Sequence, residues 1–304
     1  MVTVEKNAAT LVISANKHLP LLARLKYALR GTVARLEDLW HYRELIRNLV
    51  TRDLKVRYRN SVLGVMWSLF NPLLMMMVFT LVFTVLTPHF DVPNFPVFVL
   101  CAILPWNFFS ASVIGSIRSI VDNSSLVNKV YFPREILPIS IVLANLVNFL
   151  IALIALFALI LFFRIPLTIW VFLLPAVIAV QVIFTIGFGL IMATANVFYR
   201  DTQVIMEVVM MAWFFFTPIF YSLRILPHSY EIWGISFDVA RWVRIVNPMA
   251  SIIDNYRTIL YGIGQGGAPP DFYFFMRTLV TSLIILLIGA SIFYRYCRSF
   301  GEEV

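Results

Sequence analysis

Residues 137–163 read LPISIVLANLVNFLIALIALFALILFF, an apolar run of 27 residues without one charged side chain. A helix of about 20 such residues crosses the hydrocarbon core of a bilayer. Comparable runs elsewhere predict an all-α integral membrane protein with six transmembrane helices, and we expect the long fourth one to tilt or kink at Pro175. The predicted spans cover residues 63–87, 95–116, 137–163, 167–197, 204–222 and 272–294.

The composition of the whole chain supports this interpretation. Of 304 residues, 61% are hydrophobic and 13% are charged, and the mean hydropathy is +0.86. Soluble domains are usually about 45–50% apolar and about 25% charged, and a soluble fold of this size could not bury so much apolar surface. A disordered chain, a disulfide scaffold and most soluble enzymes are therefore excluded. Cys101 and Cys297 lie in apolar stretches, where we expect packed or lipid-facing thiols.

The N-terminal region differs in character from the rest of the chain. Residues 1–62 carry twelve of the 24 basic residues and precede the transmembrane domain, residues 63–304. Within them, residues 36–59 predict an amphipathic helix, because polar side chains recur at spacings of three, four and seven. Such a helix lies in the membrane interface rather than across it.

The distribution of basic residues predicts the orientation. With six spans, 18 lysines and arginines fall on the side of the N terminus and six on the opposite side. Cytoplasmic loops carry the excess of positive charge in membrane proteins. We therefore expect both termini in the cytoplasm, and the net charge of +8 needs no nucleic-acid partner.

Two connecting segments stand out. In the cytoplasmic loop 117–136, Asp122 or Asn123 can cap a short helix that presents an apolar knob to a soluble partner, although an amphipathic turn lying on the bilayer fits too. The external segment 223–271 alternates apolar and charged residues and is broken at Pro248. Neither half can span a bilayer, so we expect two short re-entrant helices, or else an external loop lying on the surface.

The sequence contains no recognisable chemistry of its own. The glycine-rich run at residues 262–267 lacks the lysine of a phosphate-binding loop, and the four histidines are too scattered for a metal site. Glu207 and Arg277 lie near span ends, and Glu207 can be functional or only structural. We expect neither catalysis nor a cofactor on this chain, and a membrane path without its own energy source suggests a separate motor.

Aromatic residues crowd two of the predicted spans. Apolar faces of sugars stack on aromatic rings, and a processive path needs many weak contacts rather than one tight site. Packing against lipid or neighbouring helices is the alternative role. The candidate conduit residues are Trp67, Phe70, Trp213, Phe214, Phe215, Phe216, Phe220 and Tyr221.

Several blocks together resemble one family. They are LKVRYRNSVLGVMWSLFNP at 54–72, YFPREILP at 131–138, ANVFYRD at 195–201, TPIFY at 217–221 and NPM at 247–249. In this order they resemble the permeases of type-2 ABC exporters, whose closest members export O-antigen, capsule or teichoic-acid polymers.

The resemblance implies a half-transporter in the bacterial inner membrane. Two copies of the chain would enclose a channel for lipid-linked polysaccharide, and membrane lipids would surround this dimer. Two separate ATPase subunits would bind ATP and Mg on the cytoplasmic side. The implied coupling residues are Leu126, Val127, Val130, Tyr131, Phe132, Arg134, Glu135, Arg52 and Lys55. An exporter of a small lipid or drug, and a membrane-bound glycan-modifying enzyme, stay open as alternatives.

Overall fold

Helices account for most of the chain that the structure describes. The computed structural model describes residues 40–59, 64–86, 92–130, 132–223, 230–232, 235–262 and 268–303. The chain divides into two units, Met1–Arg47 and Asn48–Val304, and all tertiary contacts discussed below lie within the second unit.

The helices follow one another with short connections. In chain order they are α1 (Arg43–Tyr58), α2 (Trp67–Thr80), α3 (Phe95–Arg118), α4 (Ser124–Lys129), α5 (Ile136–Phe162), α6 (Leu174–Phe198), α7 (Thr202–Phe216), α8 (Val239–Val246), α9 (Pro248–Leu260), α10 (Phe272–Tyr296) and α11 (Phe300–Glu303). Within the described ranges, α1 begins at Arg43, and the predicted start at residues 36–39 lies outside them.

Four helices of the described chain are long and apolar enough to cross a membrane: α3, α5, α6 and α10. At 1.5 Å per residue, the 24 residues of α3 rise about 36 Å, more than the ~30 Å of a hydrocarbon core. The helical membrane fold is therefore confirmed. Pro175 lies in the first turn of α6, directly after a 3₁₀ turn, Ile169–Leu173, and its missing N–H leaves no helical bond unmade there. The tilt or kink expected at this proline stays a prediction.

Two shorter apolar helices occupy the first and fifth predicted spans. Helix α2 contains Pro72 and continues into a π-helical stretch, Leu81–Leu86. Helix α7 ends at Phe216, so the helix predicted up to residue 222 is wrong at its C-terminal end. Thr217 is extended because Pro218 disfavours the helical conformation of the residue before it.

Helix α3 lies at the centre of the packing. It contacts α2, α5, α6, α7 and α9, and most of its side chains are buried. The buried Gln181 of α6 donates to the carbonyl of Pro105 on α3 (2.7 Å) and accepts from the Tyr256 hydroxyl of α9 (2.8 Å). Buried polar groups need such partners, so this glutamine connects three helices.

Helices α6 and α10 approach each other closely at two glycines. A Cβ atom added to Gly289 would lie 2.2 Å from the backbone oxygen of Gly187. Small residues permit such backbone approach between apolar helices. No side chain fits at this crossing.

The segment before α10 combines strands and helices. Strands β1 (Tyr230–Ile232) and β2 (Ile235–Phe237) pair antiparallel, with Tyr230 opposite Phe237. The sequence did not predict these strands. It did predict the two helices separated at Pro248, and α8 and α9 meet there. The Asn247 side chain accepts a hydrogen bond from the backbone of Ala250 and so caps α9.

Candidate functional site

The loop between α3 and α5 carries the predicted coupling helix. Helix α4 follows directly on a 3₁₀ turn, Val121–Asn123, whose first carbonyl accepts from the N–H of Ser124. The predicted side-chain cap by Asp122 or Asn123 is therefore absent, and this detail of the prediction is wrong. Asp122 instead pairs with Arg118 (3.4 Å), and the Asn123 amide donates to the carbonyl of Ser119 (2.8 Å).

Four of the predicted coupling residues are turned towards their own chain. Val127 and Phe132 are buried, with 4% and 7% of their surfaces exposed. Arg134 donates to the carbonyl of Cys297, and Glu135 accepts from the Tyr294 hydroxyl at 3.0 Å. These contacts hold the loop against the C-terminal end of α10. Tyr131 lies outside the described residues.

Other predicted coupling residues remain accessible. Val130 is 52% exposed, Lys55 is exposed and Leu126 is half-buried. Arg52 of α1 donates to the Asn123 side chain at 3.1 Å and pairs with Asp53. Helix α1 and the loop between α3 and α5 thus share one surface with exposed apolar and cationic groups. The resemblance placed Arg52 and Lys55 with the loop residues, but it did not predict the contact of Arg52 with Asn123.

The eight candidate conduit residues divide into two sets. Trp67, Phe70, Phe215 and Phe216 are exposed, by 49%, 45%, 67% and 74%. Trp67 and Phe70 contact each other edge to face, one turn apart on α2, with ring centroids 5.8 Å apart. These four side chains are available to a second copy, to lipid or to a transported molecule.

The other four candidates pack inside the chain. Trp213 contacts the rings of Trp106, Phe109 and Phe188, and Phe214 packs on Trp106. The ring centroids of Phe220 and Phe79 lie 4.2 Å apart, and Tyr221 is half-buried. Successive residues of a helix point about 100° apart, so a run of four aromatic residues cannot all face one side.

Sequence reasoning missed a polar junction between α7 and α9. The Asn247 amide accepts from the Trp213 indole N–H (2.9 Å) and donates to the Thr217 hydroxyl (2.9 Å). The residue is 9% exposed. An asparagine followed by proline in an apolar segment was the available signal, because that pair is typical of a capped helix start.

A buried arginine was also missed. Arg257 of α9 is 7% exposed, and its guanidinium donates to the carbonyls of Pro218, Ile219, Tyr221 and Phe98. It also lies 3.7 Å from the centroid of the Phe98 ring. A planar group with five donors suits a turn whose carbonyls converge. Arg257 therefore holds the irregular chain after α7 in place.

The two charged residues near span ends have local partners. Arg277 donates to the carbonyls of Arg244 (2.8 Å) and Ile245 (2.6 Å), which are among the last of α8. Glu207 is exposed and accepts from the Gln203 amide at 3.0 Å. Within the described ranges, no group of three or more His, Cys, Asp or Glu residues is placed to hold a metal ion.

Comparison with known proteins shows the family. Residues 44–261 match the ABC-2 type transporter family, and the chain belongs to it. It is therefore the membrane subunit of a transport system, a multi-pass permease, as the resemblance implied.

The similar proteins share most of their length with this chain. The O-antigen export system permease protein RfbA of Myxococcus xanthus is 36% identical over 270 residues, which are 88% of this chain and 98% of the relative. A protein of the same name from Klebsiella pneumoniae is 31% identical, over 85% of this chain and 94% of its own length. The polysialic acid transport protein KpsM of Escherichia coli is 23% identical, over 80% and 91%.

Proposed function

We propose that this chain is the permease subunit of an ATP-driven exporter of lipid-linked polysaccharide in the bacterial inner membrane. The observation that carries the proposal is the alignment with relatives named for O-antigen export along nearly their whole length. It favours polysaccharide over a small lipid or drug as cargo, and transport over glycan modification.

A complementation experiment tests this function. The chain and an ATPase subunit that co-purifies with it are expressed in a strain that lacks its own O-antigen permease but retains the O-antigen precursor. We expect polymer on the cell surface, detected by labelling of intact cells. Polymer that stays on the cytoplasmic side, although the chain inserts in the membrane, would contradict the proposal.

Six spans follow from adding α2 and α7 to the four long helices. Together α2 and its π-helical continuation cover residues 67–86, about 30 Å of helix. Helix α7 is about 22 Å long, and the irregular chain after it is held by Arg257. Irregular backbone is tolerated at membrane depth where it is buried in protein. With six spans, both termini are cytoplasmic by the distribution of basic residues.

Helices α8 and α9 then lie on the external side as a re-entrant pair. Helix α9 is buried along most of its length and packs on α3, α6 and α10. A loop lying on the surface would expose one side to water, which such burial does not favour. Helix α7 carries candidate conduit residues, and Asn247 connects the α8–α9 pair to the end of that helix. The pair would therefore narrow the outer end of the transport path.

The ATPase subunit would dock on the surface around α4. Val130 and Leu126 offer apolar contact there, and Lys55 and Arg52 offer positive charge. The buried members of the loop, Val127 and Phe132, would transmit displacement to the C-terminal end of α10. ATP and Mg would be bound by that separate subunit.

A second copy of the chain would complete the path. Helix α7 leaves seven large apolar side chains exposed, among them Phe215 and Phe216. Most homo-oligomers are two-fold symmetric, and a dimer could cover part of these surfaces and enclose the rest. A native mass measurement that found one permease per complex would contradict the dimer without affecting the assignment to the family.

A further inference from the structure

A cavity of about 570 Å³ opens between α1, α2, α3 and α5, away from the polar junction at Asn247. Its size is within the range of sites for small organic ligands. The cavity lies beside Trp67 and Asn71 of α2 and Asn107 of α3. Polar and aromatic side chains therefore line it together.

One wall of the cavity is built from paired polar groups. Arg57 of α1 donates to the Asn145 side chain (2.8 Å), and the Tyr58 hydroxyl donates to the Asn148 side-chain oxygen (2.7 Å). The Asn148 Nδ2 is buried without a hydrogen-bond partner among the described residues. A buried amide donor of this kind calls for an acceptor, and an oxygen of a ligand in the cavity would provide one.

The charge of the lining is positive. Arg57 is the one charged residue that lines the cavity in the described part of the chain, and no acidic side chain joins it there. Amide and hydroxyl groups supply the remaining polar contacts. An arginine guanidinium with amide donors beside it is a combination that binds phosphate oxygens well.

Apolar side chains also line this cavity. Leu104 and Phe108 contribute them from α3, and Phe149 and Ala152 from α5. Along α5, Ala152 lies seven residues beyond Asn145, a rise of about 10 Å. The cavity thus has a polar part and an apolar part, as an amphiphile does.

We propose that this cavity binds the phosphate head group of an anionic lipid, with the start of its hydrocarbon chain against the apolar side chains of α3 and α5. Asn145 lies about 14 Å along the helix axis from Ile136, the first residue of α5. With the orientation proposed above, on which this inference rests, the site opens in the cytoplasmic half of the membrane. Two sources supply this chemistry: a phospholipid of the bilayer, or the lipid phosphate that carries the polysaccharide.

Lipid binding by the full chain in a non-ionic detergent tests the proposal. Native mass spectrometry would follow titrations with dioleoyl phosphatidylglycerol, undecaprenyl phosphate, and their neutral counterparts dioleoylglycerol and undecaprenol. We expect retention of one or both phosphate lipids and little retention of the neutral ones. The phosphate lipid that binds more tightly identifies the source, and either result supports the site.

Variants locate the binding. Arg57→Gln should weaken retention of the phosphate lipid about tenfold, as loss of a charge-assisted hydrogen bond does, and Asn148→Leu should weaken it severalfold. Arg57→Lys keeps the charge and should retain most of the binding. Arg59→Gln is the matched control. It removes the same charge two residues away, and Arg59 lines a different cavity.

Equal retention of phosphate and neutral lipids by the unmodified chain would overturn the proposal. So would equal losses in Arg57→Gln and Arg59→Gln, which would indicate a general effect of surface charge, or unchanged binding in both Arg57→Gln and Asn148→Leu. The assay does not require export. A failed complementation experiment would therefore reject the proposed cargo without deciding this site, and the reverse also holds.

Discussion

The indole N–H of Trp213 donates to the side-chain oxygen of Asn247 over 2.9 Å, although 34 residues separate the two in the sequence. Trp213 lies near the end of α7, and Asn247 lies between α8 and α9. The same amide donates to Thr217 and accepts from the backbone of Ala250. Motion of α7 would therefore be passed to the start of α9 through one side chain.

Replacing Asn247 with Leu should destabilise the protein and weaken export. The change leaves the Trp213 donor buried without a partner, which costs roughly 1–3 kcal/mol, and removes the cap of α9, worth about 1 kcal/mol. Thermal unfolding in detergent measures the loss. Trp213→Phe is the matched variant, because it removes the indole donor and keeps an aromatic ring. We expect a smaller loss of stability in Trp213→Phe. If both variants unfold at the same temperature as the unmodified protein, the proposed role of this junction is contradicted.

Replacing Arg257 with Gln should be more damaging than any change at an exposed arginine of the same segment. Four carbonyls would lose their donor inside the protein, at about 1–3 kcal/mol for each group left unsatisfied. Arg257→Lys should not retain the stability of the unmodified protein, since a single ammonium group cannot reach all four carbonyls. The exposed Arg241 provides the control, where Gln should change stability by about 0.5 kcal/mol or less. The yield of monodisperse protein and its unfolding temperature report the difference.

Substitutions in the loop between α3 and α5 should distinguish side chains that dock the ATPase subunit from side chains that stabilise the permease itself. Val130→Asp and Leu126→Asp place charge on the accessible surface, and we expect both to reduce co-purification of the ATPase subunit while the permease still inserts. Val127→Asp buries a charge in the chain itself and should lower the stability of the permease, because unpaired charges are costly in the interior. Normal ATPase binding in the first two variants would place the docking surface elsewhere.

The crossing of α6 and α10 should not tolerate a side chain. Gly289→Ala would bring its Cβ to 2.2 Å from the Gly187 oxygen, so the helices would have to separate. We expect a loss of stability of about 1–3 kcal/mol, as for other overpacked sites. Gly301→Ala is the control, because its nearest neighbours would lie at 3.5 Å, an ordinary contact distance. Equal unfolding temperatures for the two variants would refute the close approach.

Neighbouring aromatic residues at the end of α7 should respond differently to truncation. Phe214 packs on Trp106, so Phe214→Ala should cost about 3–5 kcal/mol if its cavity does not collapse. Phe215→Ala and Phe216→Ala should leave stability nearly unchanged but alter export, if these exposed rings contact the transported chain. Comparable export by unmodified and Phe216→Ala protein would exclude this side chain from the path.

Hydropathy alone sufficed to predict the long helices. In lipid each helix must satisfy its own backbone groups, so a run of some 20 apolar residues determines its structure locally. For this reason α3, α5, α6 and α10 lie within a few residues of the predicted spans, except for the start of α6. The break at Pro248 was equally local. The early end of α7 at Phe216 could have been anticipated from Pro218.

The division of side chains into packed and accessible ones was decided only by tertiary structure. Val127 and Val130 are both valines and lie three positions apart, yet one is buried and the other exposed, because α11 packs against α4. Apart from the local cap on Ala250, the hydrogen-bond partners of Asn247, Arg257 and Asn148 lie between 30 and 159 residues away. The sequence determined which segments enter the membrane, since that depends on each segment's own transfer into lipid. Which groups meet there depends on how the helices pack, and no single segment contains that information.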